Sequence, residues 1–182
     1  ANCASSITTA HSNTAVGDSA LGTCTTGINN VAIGRAALIA LTTAHQNTAV
    51  GFEALTTSTT GAANVAIGEE AMHDSTTSSE NVAVGKDAMQ KNTTGSYNVG
   101  VGSQALRSNT TGGKNTALGY FAGYSLVGGD ENVAIGYYAG CSDVSSGTRD
   151  GHRNVSIGYQ AGKLITTGND NTFVGRNAGK DI

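Results

Sequence analysis

Asn30-Val31-Ala32-Ile33-Gly34 returns 17 residues later as Asn47-Thr48-Ala49-Val50-Gly51, and again as Asn64-Val65-Ala66-Ile67-Gly68. Working outward in both directions, the pattern Asn-[Thr/Val]-x-[Val/Ile/Leu]-Gly begins at Asn13, Asn30, Asn47, Asn64, Asn81, Asn98, Asn115, Asn132, Asn154 and Asn171. Seven steps of 17 residues precede one of 22 and a last of 17, so a five-residue insertion within 142–153 is the single break in register. A fixed period of this kind is the mark of a solenoid, in which each unit packs on its neighbours.

With the motif Asn at position 0, glycine fills position 4 of every unit, as Gly17, Gly34, Gly51, Gly68, Gly85, Gly102, Gly119, Gly136, Gly158 and Gly175. Such a column marks a corner that needs positive φ or close backbone approach. Alanine fills position 7 from Ala20 to Ala178, and a Thr-Thr pair fills positions 12 and 13 in most units, as in Thr25-Thr26 and Thr93-Thr94. Thr8-Thr9 keeps that register, so residues 1–12 are the tail of an earlier unit and 1–182 is one repeat domain. The asparagine column places identical amides one strand spacing apart, where they can form a hydrogen-bonded ladder; it reads as scaffold.

Positions 1 and 3 alternate with position 2, which puts the Val, Ile, Leu and Thr side chains on one face of a short strand. That face is expected to be the interior, with small position-2 residues such as Ala32, Ala66 and Gly100 outside and approached by something flat. Seventeen residues span at most about 60 Å fully extended, so each coil is expected to be a flattened loop of two or three short strands. The predicted fold is all-β, a parallel β-solenoid or β-roll of about ten coils. At position 5 neighbouring units pair opposite charges, Asp18 with Arg35 and Glu69 with Lys86.

The repeat changes type near Asn115. Position 8 is Leu or Met in units across 13–114 (Leu21 to Leu106) and glycine across 115–182 (Gly123, Gly140, Gly162, Gly179), where tyrosine appears at position 5 as Tyr120, Tyr137 and Tyr159. Two readings stand: an aromatic laid over the corner compensates for the lost aliphatic filler, or the tyrosines form a stacked platform for sugar rings or another flat partner.

Composition narrows the function. With 26 Gly, no Pro, no Trp and 5% aromatic residues, a broad core of large side chains is not expected. A net charge of -3 gives no footprint for nucleic acid, and no apolar run reaches the ~18 residues of a membrane span. Cys3, Cys24 and Cys141 lack metal-ligand spacing; one Cys3–Cys24 bridge is open in an oxidising compartment. His11 and His45 lie two coils apart, too far to share a metal, and no nucleophile-elbow, phosphate-loop or zinc-protease motif occurs. No catalytic, metal or cofactor site is expected. The insertion gathers Asp143, Arg149, Asp150, His152 and Arg153, and is either a binding loop or a tolerated bulge. Asn92 and Asn109, each followed by Thr-Thr, and Asn154-Val155-Ser156 match the glycosylation sequon.

The Asn-[Thr/Val]-Ala-[Val/Ile]-Gly motif followed by alanine resembles the head repeats of trimeric autotransporter adhesins and repeats of bacteriophage tail fibres. The likeness covers nearly the whole chain, but the unit is longer than in those adhesin heads, the extra residues carrying the Thr-Thr-Gly segment. The resemblance implies a side-by-side homotrimer at a cell surface or on a virion, extracellular, with a glycan or protein receptor. The expected function is a structural and adhesive fibre module that presents or forms a receptor-binding surface. Two alternatives stand beside it. The chain starts and ends inside a repeat without a cap, as expected for a piece of a longer chain or a self-assembling extracellular filament subunit. The threonine columns suggest an ice-binding solenoid, although adjacent threonines point to opposite faces.

Overall fold

The computed structural model describes residues 3–141 and 150–180. Ten three-residue strands, β1 (Thr14–Val16), β2 (Val31–Ile33), β3 (Thr48–Val50), β4 (Val65–Ile67), β5 (Val82–Val84), β6 (Val99–Val101), β7 (Thr116–Leu118), β8 (Val133–Ile135), β9 (Val155–Ile157) and β10 (Thr172–Val174), form one parallel sheet in chain order. The register is the repeat itself: Val31 pairs Thr48, Thr48 pairs Val65, and Val133 pairs Val155 across the longer step. The protein is a parallel β-solenoid of about nine turns, with no helix among the described residues.

Each coil carries one regular strand rather than two or three. Turns make up the rest of the perimeter, yet they are hydrogen-bonded from coil to coil all the way round, as in Met72 N to Ala88 O (3.0 Å) and Thr76 N to Thr93 O (3.0 Å). Gly68 ends β4 at φ 139°, and a Cβ there would strike the Gly85 carbonyl of the next coil, so the corner needs both the conformation and the space that glycine provides.

The strand faces are the reverse of the sequence expectation. Position 2 points inward: Ala32, Ala49, Ala66, Ala83 and Ala117 are completely buried. Positions 1 and 3 point outward, and Val16, Ile67 and Leu118 keep 56%, 40% and 50% of their surface exposed. Coil width is the reason. A Cβ added at Gly100 would stand 3.0 Å from Met89 Cγ and 3.4 Å from the Ala105 carbonyl, so where Leu or Met fills position 8 this inner position accepts nothing much larger than alanine; Phe173 fits in the last coil, where position 8 is Gly179. Bulky β-branched residues can therefore occupy only the outer face.

After the corner, every third residue turns inward, as in Leu38, Leu41, Ala44 and Asn47. Burying one such leucine stabilises the coil by about 2 kcal/mol. Position 11 is thus a second filler column, running Cys24, Leu41, Ser58, Ser75, Asn92, Asn109, Leu126 and Ile165. It bears on the change of repeat type. At Gly123 the space a side chain would take is bounded by Leu106 Cδ2 and Leu126 Cδ1, so position 11 supplies an aliphatic group to the interior there; beside Gly179 the aromatic ring of Phe173, at position 2, takes that space.

Positions 6, 8 and 16 hold left-handed backbone even where the residue is not glycine, as at Glu70 (φ 54°), Met72 (φ 53°) and Glu80 (φ 59°). The strain is about 1 kcal/mol per residue. Inter-coil bonds hold these conformations, for example Glu70 N to Phe52 O at 2.8 Å and Glu80 N to Ala62 O at 3.0 Å.

Candidate functional site

The asparagine column forms a buried scaffold. Asn47 Oδ1 accepts from both the main-chain N–H of Asn64 (3.0 Å) and its side-chain amide (3.2 Å), while that amide also donates to Ser78 O at 2.8 Å. The main-chain bond of this pattern crosses the long step, where Asn154 N donates to Asn132 Oδ1 at 2.9 Å and the Asn154 amide donates to Gly168 O at 2.7 Å. These side chains have their hydrogen-bonding capacity spent on the fold and offer nothing to a ligand.

A second ladder, not foreseen from the sequence, runs along position 15. There a polar side chain accepts from the N–H of the same position one coil earlier: Ser79 Oγ from Ala62 N (3.1 Å), Asp130 Oδ1 from Gly113 N (2.7 Å), His45 Nδ1 from Ile28 N (3.0 Å) and His152 Nδ1 from Asp130 N (3.0 Å). The column mixes His, Ser, Asp and Asn, which share only an acceptor atom, so residue identity conceals it. At position 12 the threonine hydroxyls of Thr25, Thr42, Thr59, Thr76 and Thr93 each donate to the carbonyl of the next coil, at 2.9 to 3.3 Å.

The insertion-associated residues divide. Arg149, like Asp143, lies outside the described residues. Asp150, His152 and Arg153 continue regular columns at positions 13, 15 and 16: Asp150 Oδ1 accepts from Gly128 N (3.0 Å), His152 N donates to Asn169 Oδ1 (2.7 Å), and Arg153 pairs with Asp170 through two bonds of 2.6 and 3.1 Å. Arg153 holds the Asp170 carboxyl below its ordinary range, and Asp170 in turn raises the guanidinium. From Cys141 at position 9 to Asp150 at position 13 the chain takes nine steps where other units take four, which confines the five extra residues to 142–149.

Tyr120, Tyr137 and Tyr159 stack along the solenoid axis, with ring centroids 5.4 Å apart and planes inclined by 16° and 4°. Each ring lies against the next, so the column is a ladder with outward edges rather than a row of open ring faces. Phe121 and Tyr138 form a parallel stack beside it (4.9 Å), joined to Tyr124 at 4.7 Å. Burial, and the neighbouring Tyr137, raise the Tyr138 hydroxyl above its usual range.

The sequons have different places from ordinary surface asparagines. Asn92 and Asn109 are wholly buried at position 11, where Asn109 Nδ2 donates to Asn92 Oδ1 at 3.1 Å, and Asn154 is a ladder residue. Cys3 and Cys24 are free thiols, Cys3 exposed and Cys24 buried. No three His, Cys, Asp or Glu side chains come together as a metal site among the described residues, and no helix there is long and apolar enough to cross a membrane.

The outer sheet face remains. Two parallel columns of Val, Ile, Leu and Thr run down ten strands, and nine spacings of about 4.8 Å make this strip about 43 Å long. No family model, curated protein or solved structure matches the chain.

Proposed function

We propose that this chain is a structural and adhesive fibre module, a non-catalytic rod that packs side by side with copies of itself and presents a receptor-binding surface outside the cell. The outer sheet face carries the reading. A strip of exposed and half-buried Val, Ile, Leu and Thr side chains that long exceeds what a solitary soluble rod needs, and sheet faces bury themselves by packing on other sheets. A second copy has the same strand spacing, so contacts made at one coil repeat at every coil. The resemblance to trimeric adhesin heads sets the expected copy number at three, and the continuous ladders make a rod stiff enough to hold a binding surface away from its base.

Light scattering on the intact chain tests the reading. The expected mass is three times 18.2 kDa. Replacing Ile67 and Ile135 together by Lys, on the exposed face, should reduce that mass to one chain while circular dichroism stays unchanged. A wild-type monomer at all concentrations overturns the proposal.

A further inference from the structure

The geometry points to a binding strip for a linear acidic polysaccharide on the face formed by positions 5–9 of the last five coils, centred on Tyr120, Tyr137 and Tyr159. The proposal deepens the receptor-binding half of the reading above and is independent of its self-association half, because a single solenoid carries the whole strip.

Three observations converge on this face. The three tyrosines keep 45%, 46% and 43% of their surface exposed and repeat every 5.4 Å, so they offer a ribbed line of aromatic edges and hydroxyls rather than a pocket. Cations surround this line. Arg176 continues the column 5.6 Å over Tyr159, and Arg107 lies 5.9 Å over Tyr124 and donates to its hydroxyl at 3.1 Å. Lys163 and Lys180 occupy position 9, the Tyr124 column. No carboxylate occurs at positions 5–9 of these coils; Asp130, Glu131, Asp150 and Asp170 sit at positions 13–16, and Asp181, outside the described residues, follows Lys180 at position 10. In addition, the buried Arg107 Nε has no hydrogen-bond partner.

The ligand must therefore be anionic, extended along the axis, and built of repeating units that present both hydroxyl and C–H groups. A chain of linked uronic acids has these properties. Tyrosine suits such a partner because it combines apolar ring with polar tip. Single-stranded nucleic acid shares the charge and the repeat, but its bases bind by stacking on open aromatic faces. Here the ring faces lie against one another.

The test uses the intact protein with polygalacturonate as probe, and dextran and poly(dT) as comparators, read by affinity electrophoresis and by tyrosine emission, which no tryptophan obscures. Polygalacturonate should retard the protein, less so as salt rises, whereas dextran should not. Tyr137→Ala and Arg176→Gln should each weaken retardation about tenfold, and Tyr97→Ala, an exposed tyrosine at position 16, should leave it unchanged. Arg176→Gln alters only an exposed side chain, so it remains decisive if Tyr137→Ala misfolds. Absence of retardation, equal retardation by dextran, preference for poly(dT), or full binding by both variants overturns the proposal. So does a Tyr137→Ala protein of lower solution mass, which would assign the column to the contact between copies. A monomer that binds polygalacturonate refutes side-by-side assembly alone; a trimer that ignores it refutes this strip alone.

Discussion

Asn64 Oδ1 accepts two hydrogen bonds from Asn81, one from its main-chain N–H and one from its carboxamide, both at 3.1 Å. One buried oxygen thus joins two coils, and the next asparagine repeats the arrangement. Asn64→Ala removes the acceptor for both donors and also the donor to Ser78 O. Unsatisfied buried groups cost about 1–3 kcal/mol each, so the variant should lose about 3 kcal/mol or more in urea unfolding. Asn171→Ala, at a partly exposed rung, should lose about 1 kcal/mol.

Left-handed residues predict a gain. Ala63 has φ 57° on an exposed corner, where its methyl group contributes strain and little packing. Ala63→Gly relieves about 1–2 kcal/mol of that strain and forfeits up to about 1 kcal/mol through a more flexible unfolded chain. A net stabilisation of about 0.5 kcal/mol is expected. Gly68→Ala, where φ and the next coil's carbonyl both oppose a side chain, should instead abolish cooperative folding of the surrounding coils in hydrogen exchange.

Burial raises the Cys24 thiol above its ordinary pKa, outweighing an opposing hydrogen bond with the Gly27 backbone. In the native protein Cys3 should be alkylated promptly and Cys24 only at the rate of unfolding, as peptide mapping would read. The linkage sign follows: the unfolded thiol ionises at lower pH than the folded one, so Cys24 favours folding fully below the unfolded pKa. That contribution falls as pH rises through the folded value. Cys24→Ser should flatten the alkaline limb of the stability profile.

The buried sequons predict an order of events. Native protein exposed to a glycosylating enzyme should gain no mass at Asn92 or Asn109, whereas denatured chain should be modified. Chain modified at Asn109 should fail to regain the native spectrum on refolding, because position 11 has no room for a glycan and Gly112 O requires the Asn109 amide at 2.9 Å.

The period, corner glycines and parallel stacking could be read from the sequence because each repeats one residue type at one position. Which strand face lies inside could not. Alternation divides Val31 and Ile33 from Ala32 without saying which side is core, and hydrophobicity favours the wrong one when the lumen is too narrow for valine. Position 11 was obscured because Cys24, Leu41, Ser58 and Asn92 share only size and burial. The histidine caps were hidden for a similar reason: an imidazole nitrogen, a hydroxyl and a carboxylate perform the same task. At the tyrosine column, spacing gave the stack, but ring tilt needed coordinates.

The bond from Asn154 to Asn132, at 2.9 Å, falls within the 2.8 to 3.1 Å of its 17-residue counterparts although 22 residues separate the two, so the axial ladder is indifferent to the contour of the coil between its rungs. The perimeter can therefore change while the spine is conserved. Coils of unequal length can be joined in one rod without breaking the register of its spine.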